Sequence, residues 1–589
     1  MREYVKMTSG IGKRTGVTVV ALTVILGCRD VVELVTEPTG GGFLSVESDF
    51  SDDPISPGGG GGVQEEGLAG TAEETLSFFT AFQIDPVSED TAGPKFVAVG
   101  DLDQDGFLDI VSAWNQSQPI QLHLQRRDAE DRISFRTITL AGTSPIAAVA
   151  GLELGQLNGD GWLDIVVLVK ATGSAGLCLL EEPDPPSVVS SLDGRIIVFF
   201  NPADSDLIPN GDEWTQMFIE NPFFTAFGLG NRHHYPGFGP VDYQEMQMKP
   251  ELGGFAALVV AEINGLPGDD IVVTVNAAEC ELLGHLPKLN TLDLYINPGP
   301  DDAMDPVAWD VPVTIDGNLP QIKDVEAYDV DADGDLDLVY TFTNLISPNV
   351  LWMENPLIKD VEGAASGPEA VEAGTSDGFR LFASEWVGRP IGTINTGSDI
   401  IEIGDVDGDG FEDVVVRSTA GKLVQWFRRP TDLAVQPEFP GDDPTPLRRD
   451  FPWQVFTLRE FNGDEPEAVG LGDLTGDGRL EVVIAAEGAI LWYDGTVGES
   501  VFDQWHPNTI IQDQADADDP GVTVEGGGAV PPGGAGVTEL DISTYVNQLL
   551  IVDLDGDGKN DILGTLDRRT GSGLSDDRLV WYRNIRSDE

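Results

Sequence analysis

The chain has 589 residues, 41% of them hydrophobic, and its 101 acidic against 33 basic residues give a formal net charge of -68 at pH 7. A field of this sign repels phosphate backbones and anionic lipid headgroups, which argues against nucleic acid or a membrane surface as partners of the folded protein. Only three cysteines occur, which excludes a disulfide-rich scaffold.

Residues 1–28 are typical of a bacterial lipoprotein signal peptide. Four basic residues precede the apolar run VTVVALTVIL, which is too short to span a bilayer. The ending ILGC resembles a lipobox, which implies lipidation at Cys28 after cleavage. We therefore expect the protein to be exported, lipid-anchored to a bacterial membrane and facing the periplasm or the cell exterior, with the lipid as its only membrane contact. An ordinary signal peptide or an uncleaved anchor is the alternative.

The composition changes after the cysteine. Residues 29–73 contain EPTGGGF and SDDPISPGGGGGVQEEG and little that could pack, so we predict a flexible, acidic, Gly/Pro-rich tether. The folded domain is assigned to residues 74–589. Within it, the Gly/Pro-rich stretch 518–537 is expected to form an inserted loop.

Acidic stretches of one pattern recur seven times in this domain. GDVDGDGFEDVVVR, residues 404–417, places acids at positions 1, 3, 5 and 9 of a loop with glycine at position 6. Carboxylates so close together repel one another unless a cation lies among them, and ligation by oxygen alone favours Ca²⁺. The β-branched run that follows predicts a strand instead of the helix of a helical calcium loop. The seven loops have their first positions at 101, 156, 262, 329, 405, 473 and 553.

The seven loops differ in their ligands. Loops one, four, five and seven carry acids at all four positions and are expected to bind Ca²⁺ most strongly: Asp101, Asp103, Asp105, Asp109; Asp329, Asp331, Asp333, Asp337; Asp405, Asp407, Asp409, Asp413; Asp553, Asp555, Asp557, Asp561. Loops two and six keep oxygen ligands with less charge and are expected to bind more weakly: Gln156, Asn158, Asp160, Asp164; Asp473, Thr475, Asp477, Glu481. Loop three lacks an oxygen at position 5 and is expected to hold its turn without metal: Glu262, Asn264, Leu266, Asp270. For any single copy, a hairpin turn that needs no ion is the alternative.

Short apolar runs precede and follow each loop. A third run with an aromatic or Asn-Pro ending and a fourth run that often opens on tryptophan complete each unit, as in KLVQWFRRP and WQVFTL. This pattern predicts an all-β fold, a seven-bladed β-propeller of four-stranded blades. The seventh unit lacks its fourth run, and LSFFTAFQI, residues 76–84, supplies a candidate. We therefore expect an N-terminal strand to complete the last blade and close the ring.

The pattern DxDxDGxxD[IV]V resembles the FG-GAP and VCBS-type repeats, which form the integrin-α-like seven-bladed propeller and bind Ca²⁺ in blade hairpins. The resemblance covers roughly residues 74–589, and the bacterial VCBS-type variant is the closer comparison because the Phe-Gly and Gly-Ala-Pro signatures are poorly formed. It implies Ca²⁺ as the bound cation. The same propeller serves adhesion receptors, bacterial surface proteins and parts of polysaccharide-degrading enzymes, so it does not define the function.

Two functional hypotheses follow. The favoured one is a monomeric, calcium-binding module of the cell envelope or surface that binds or adheres to a protein or polysaccharide. The alternative is an extracellular polysaccharide lyase or hydrolase with a site on a propeller face, near His233 and His234. No nucleophile or zinc motif occurs, so no catalytic residue is assigned. Cys178 and Cys280 either pair across neighbouring blades or remain unlinked.

Overall fold

In the computed structural model, the described residues all belong to one compact unit, Glu74–Glu589. They are residues 79–84, 94–114, 120–129, 132–140, 149–169, 195–220, 253–277, 290–309, 312–319, 322–342, 348–357, 386–431, 433, 451–461, 465–486, 489–495, 505–509, 512–513, 523–525, 544–568 and 578–586. Their regular secondary structure is entirely β-strand. No helix among them could span a membrane.

The strands form seven sheets, each with four antiparallel strands in blade order, and two of the sheets have a fifth strand that pairs parallel at the outer edge. The first strands are β2 (Pro94–Gly100), β6 (Val149–Gly155), β10 (Gly253–Ala261), β14 (Ile322–Tyr328), β18 (Ile400–Gly404), β22 (Ala468–Gly472) and β28 (Thr544–Val552). The second strands are β3 (Asp109–Trp114), β7 (Asp164–Val169), β11 (Asp270–Ala277), β15 (Asp337–Phe342), β19 (Asp413–Ser418), β23 (Glu481–Ala486) and β29 (Asp561–Arg568).

The outer half of each blade comes from its third and fourth strands. The third strands are β4 (Gln121–Arg127), β8 (Arg195–Phe200), β12 (Asn290–Tyr295), β16 (Val350–Glu354), β20 (Leu423–Arg428), β24 (Ala489–Gly495) and β30 (Arg578–Asn584). The fourth strands are β5 (Ile133–Thr139), β9 (Thr215–Glu220), β13 (Val313–Leu319), β17 (Val387–Gly392), β21 (Gln454–Glu460), β25 (Trp505–Thr509) and, for blade seven, β1 (Phe79–Gln83). The predicted all-β, seven-bladed propeller is confirmed.

The ring closes as the sequence predicts. The first strands of neighbouring blades contact one another around the whole ring, including β28 of blade seven with β2 of blade one. The N-terminal strand β1 pairs antiparallel with the C-terminal strand β30, from Phe79 opposite Asn584 to Gln83 opposite Val580. Blade seven is thus built from both ends of the folded domain, and the edge of β30 is covered.

The second strands form the interior of the molecule. All six side chains are buried in β3, β7, β15, β19 and β23, because each blade is covered on both faces by its neighbours. Their valine and isoleucine runs suit this environment, and each such side chain contributes about 1.5–3 kcal/mol when buried. Trp352, Trp426 and Trp581 of the third strands fill the wider space between blades farther from the axis.

Two short strands that were not predicted lie on the outside of the ring where it closes. The connection from β25 to β28 contributes β26 (Gln512–Asp513), which pairs parallel with β1, and β27 (Thr523–Glu525), which pairs parallel with β5 of blade one. The prediction that residues 518–537 form only a loop is therefore wrong at Thr523–Glu525. A short Thr-Val run there meets an open outer edge, and backbone pairing with that edge outweighs the loop-forming composition around it.

Candidate metal centres

The seven acidic stretches all form the turn between the first and second strands of their blades. In six of them the glycine at position 6 has φ between +85° and +102°, a conformation that L-residues with a Cβ rarely adopt. At Gly410 an added Cβ would meet no atom within 4 Å. Backbone conformation, not lack of space, therefore requires glycine there.

The side chain at position 1 closes the turn. In loop one, Asp101 accepts hydrogen bonds from the backbone N–H groups of Asp105, at 3.1 Å, and Gly106, at 3.0 Å. The same pair of bonds recurs at the first position of loops four, five, six and seven: Asp329, Asp405, Asp473 and Asp553. In loop two the amide oxygen of Gln156 accepts from Gly161, at 3.1 Å.

The side chain at position 9 is a buried structural link between three strands. Asp109 accepts from the backbone N–H of Leu102 at 3.0 Å through one oxygen, and from that of Gln125, on the third strand, at 2.8 Å through the other. The same two links occur in loops two, three, four and seven through Asp164, Asp270, Asp337 and Asp561. Position 9 thus has a role in the fold besides that of a possible ligand.

Position 3 distinguishes the loops. Loop one has Asp103 there, and its Oδ1 is buried without a hydrogen-bond partner within the described part of the chain. Burial first, and then the charge of Asp103, raise the pKa of Asp109 to about 8. Two buried carboxylates therefore face each other, and the pair is stabilised by a proton on one of them or by a cation beside them, such as the Arg126 guanidinium or a metal ion.

Loops three and six have a neutral donor at position 3 instead. The Asn264 side-chain amide donates to Asp270 at 2.9 Å, and the Thr475 hydroxyl donates to Glu481 at 3.0 Å. The Thr475 hydrogen bond lowers the pKa of Glu481, although burial, the larger effect, raises it to about 7 overall. In these loops a hydrogen bond stabilises the position-9 carboxylate where loop one has a second acid.

Five of the loops bring three carboxylate groups close enough to share an ion, with ligand oxygens within 4.8 Å of one another. The groups are Asp101, Asp103 and Asp109; Asp329, Asp331 and Asp333; Asp405, Asp407 and Asp413; Asp473, Asp477 and Glu481; Asp553, Asp555 and Asp557. Asp105, Asp337, Asp409 and Asp561 lie in the same loops outside these groups. Loop two has only Asp160 and Asp164 as acids, and its Asn158 side chain donates to Asp160 at 2.9 Å. The donor set suits a hard divalent cation, and the partnerless Asp103 oxygen fits one.

Arginine side chains approach three of these loops from the third strand. Arg126 pairs with Asp103 and with Asp105, the latter at 3.0 Å. Arg428 pairs with Asp407 and Asp409, and Arg583 pairs with Asp555.

Sequence reasoning missed a set of polar side chains that connect neighbouring loops. Asn201, just after β8, donates from its side-chain amide to the backbone oxygen of Leu102 in loop one at 3.0 Å, and to that of Leu163 in its own loop at 3.2 Å. Asn297, Asn355, Asn584, Gln125 and, with a guanidinium, Arg429 make the equivalent bond to the preceding blade. The recurring Asn-Pro ending of the third runs was the signal that could have revealed them.

Carboxylates also meet at the centre of the ring. Glu153, Glu326 and Glu402 occupy the same position on three first strands, three residues before the loop. Burial first, and then the charges of Asp324, Glu153 and Glu402, raise the pKa of Glu326 well above its ordinary value. Burial and Asp324 raise the pKa of Glu153 to about 8, although its side chain keeps contact with water. Asp324 accepts backbone hydrogen bonds from Val325 and Ile401, and its charge adds to the repulsion among the glutamates.

A buried serine–histidine–threonine chain lies in blade one. His123 hydrogen-bonds Ser112 at 2.8 Å and Thr137 at 3.0 Å, and both His123 and Ser112 are fully buried. Burial lowers the pKa of His123 to about 3, so the ring stays neutral. No substrate could reach this chain in the folded protein, and we assign it to the core. His233, His234, Cys28, Cys178 and Cys280 lie outside the described residues.

The fold and the loops together define a seven-bladed β-propeller with repeated acidic hairpins. Residues 101–167, which span loops one and two, match the model of the FG-GAP-like repeat family, so the resemblance seen in the sequence is confirmed for this part of the chain. A comparison with curated proteins found no match.

Two solved structures are among those similar to this chain. One is an Agrocybe aegerita lectin, described as specifically recognising non-reducing terminal N-acetylglucosamine; it is 15% identical, with 83% of this chain and 100% of that chain covered and a TM-score of 0.36. The other is the Dos1 propeller, which is 9% identical, with 86% and 95% covered and a TM-score of 0.38.

Proposed function

We propose that the protein is a calcium-stabilised β-propeller that acts as a binding module. The observation that carries the proposal is the pairing of acids at positions 3 and 9 in loops one, four, five and seven, where loops three and six place a neutral donor. A buried pair of acids is costly unless a cation neutralises it. The donor set is all oxygen, which favours Ca²⁺ over Zn²⁺.

In loops one, four, five and seven, the bound ion would be held by the acids at positions 1, 3, 5 and 9. It would neutralise the acid pair that the turn brings together and so fix the hairpin between the first two strands. The position-9 carboxylate passes this effect to the third strand through its second oxygen, as Asp109 does with Gln125. A side-chain amide at the end of the third strand of the following blade hydrogen-bonds the loop, as Asn201 does with Leu102, and so links the loop to the neighbouring blade. Calcium would thereby stabilise the ring as a whole.

The binding role is assigned to the face of the ring opposite these loops. Antiparallel strands alternate in direction, so strands that start at the loops end at this opposite face. The strand ends at Val169 and Glu220 and the strand starts at Arg195 and Gly253 all lie there. Long inserted segments, 170–194 and 221–252, join these ends, and such segments commonly carry binding residues on a rigid scaffold. The proposed ligand is a protein or polysaccharide outside the cell, with the chain displayed on the envelope through lipidated Cys28.

Calcium binding is tested by counting ions. Equilibrium dialysis of the full chain should show four tightly held calcium ions and up to two weaker ones. Changing Asp103, Asp331, Asp407 and Asp555 together to Asn should abolish the tight class, because each loop then resembles loop three. The matched control changes four exposed acids outside the loops to Asn, Asp206, Asp212, Asp301 and Asp302, and should keep it. No calcium bound by the wild type, or an equal loss in both variants, would contradict the proposal.

The binding role is tested by presenting the calcium-loaded chain to a glycan array and to extracellular protein fractions, followed by product analysis of any polysaccharide it retains. Retention without cleavage is the expected outcome. Depolymerised product would favour the lyase or hydrolase hypothesis. No observation among the described residues supports that hypothesis.

A further inference from the structure

The three arginines that approach the loops are placed there by strand register. In blade five, Val414 lies opposite Phe427, and in blade seven, Ile562 lies opposite Tyr582. Arg428 and Arg583 are the residues that follow in each case, so they occupy the same place relative to the loop. In blade one, Ile110 lies opposite His123, so Leu124 holds the equivalent position. Arg126 lies two residues after it and also reaches its loop.

Each guanidinium contacts the acids that we assign to the metal. Arg428 spans positions 3 and 5 of loop five, with Nη2 3.2 Å from Asp409 Oδ2 and its Nε on Asp407 Oδ2. Arg126 spans the same two positions of loop one through the Oδ2 atoms of Asp103 and Asp105. Asp103 keeps its Oδ1, which is buried and has no hydrogen-bond partner among the described residues. Arg126 therefore contacts one oxygen of Asp103 and leaves the other oxygen for a metal ion.

The repeat does not require an arginine at this place. In blade four, Leu338 lies opposite Met353, so Glu354 holds the position equivalent to Arg428. Glu354 pairs instead with Arg389 of β17, at 2.7 Å. An acidic loop of the same design thus forms with a glutamate at this position. The arginines of blades one, five and seven are additions to individual loops.

We propose that Arg126, Arg428 and Arg583 are internal counter-ions that set the calcium response of their loops. The inference rests on the proposed function, since it concerns loops that bind Ca²⁺. Without metal, the guanidinium neutralises part of the acid cluster and keeps the turn folded. With metal, the same positive charge opposes the incoming cation and lowers its affinity. Removing the arginine therefore has opposite effects on the two states: tighter calcium binding and a less stable calcium-free loop.

The test follows one loop at a time. Hydrogen–deuterium exchange of the full chain, read on the peptide that contains residues 400–417 across a series of free calcium concentrations, gives the midpoint at which loop five becomes protected. In Arg428→Gln this midpoint should move about tenfold to lower calcium, which corresponds to about 1.4 kcal/mol. The same loop should exchange faster than wild type in excess EDTA. Arg583→Gln should do the same for loop seven and leave loop five unchanged.

Two further variants separate charge from packing. Arg428→Lys keeps the charge, so its midpoint should stay near that of the wild type. Arg132→Gln removes an arginine that pairs with Asp128, which is not one of the proposed ligands, and should leave every loop midpoint unchanged.

An unchanged or higher midpoint in both Arg428→Gln and Arg583→Gln would overturn the inference while leaving calcium binding intact. A wild-type chain in which no loop responds to calcium would overturn the proposed function, and this inference with it.

Discussion

Loops one and three share a buried carboxylate at position 9 but have opposite chemistry at position 3. In loop one, Asp103 faces the buried Asp109 as a second acceptor, whereas in loop three Asn264 donates to Asp270 at 2.9 Å. The position-9 carboxylate makes the same backbone links in both. The difference teaches that the hairpin itself needs only the buried carboxylate and a donor. In loop one the second acid adds negative charge, which Arg126 offsets in part and a bound cation would offset further.

Removal of calcium should give the largest effect. Each site saturated at a hundred times its dissociation constant contributes about 2.7 kcal/mol to the folded state, so excess EDTA should lower the melting temperature of the wild type by many degrees. Exchange should rise first in loops one, four, five and seven and last in loop three. Calorimetry and hydrogen exchange measure the two quantities. If the melting temperature is the same with and without EDTA although the ions have been shown to be removed, the loops do not need calcium and the contrast between loops one and three fails.

Loss of a position-9 carboxylate comes next. Asp109→Ala and Asp270→Ala each leave at least two buried backbone N–H groups without an acceptor, and each should cost about 3 kcal/mol in urea unfolding. The cost of Asp270→Ala should be the same in calcium and in EDTA, because loop three needs no ion. Asp160→Ala, at an exposed position of loop two, is the control and should cost under about 1 kcal/mol. A small cost for Asp270→Ala would show that this residue is not the structural link described above.

This prediction differs from the one that the sequence alone favours. Residue types alone place Asp270 in the weakest loop, so its loss should matter less than the loss of an acid such as Asp405. The structure shows Asp270 fully buried and accepting from Asn297 at 2.7 Å. A ligand and a structural acceptor are the same residue type in the sequence. The two roles are distinguished only in the folded chain, where the third strand brings the backbone N–H of Asn297 to Asp270.

The fold was predictable because its signals repeat. Loop spacing, strand alternation and the missing last strand together determine seven blades and the pairing of β1 with β30. The side chains that join blades were not predictable. Asn201 acts on Leu102, ninety-nine positions away, and β27 joins an edge that belongs to another blade. Such contacts depend on which atoms meet after the ring has closed, and no local pattern encodes them.

Substitution of the central carboxylates Glu326 and Glu402 should have the smallest effect on stability. It tests whether acids outside the loops repel one another in the folded chain. Their pKa values are raised on folding, so the folded chain holds protons more tightly than the unfolded chain. The stability this provides is fully present below about pH 4.5, the ordinary glutamate value, and is lost as the pH rises through about 8, the value for Glu153.

The matching experiment measures the slope of unfolding free energy against pH, in EDTA, for Glu326→Gln combined with Glu402→Gln. The slope should flatten by less than about 1 kcal/mol per pH unit, because these side chains are partly exposed to water, which screens them. Two exposed glutamates changed to Gln, Glu213 and Glu465, serve as the control and should leave the slope unchanged. A steeper slope in the variant with both glutamates changed would show that these carboxylates stabilise the ring.

The most direct measurement of the central claim converts one kind of loop into the other. Thr475→Asp replaces the hydroxyl that donates to Glu481 with an acid, and gives loop six acids at all four positions. In EDTA the variant should unfold at lower urea than the wild type, by about 1–2 kcal/mol. With calcium it should recover to wild-type stability or above and bind one further ion tightly. A variant at least as stable as the wild type in EDTA, or one that calcium does not rescue, would contradict the account.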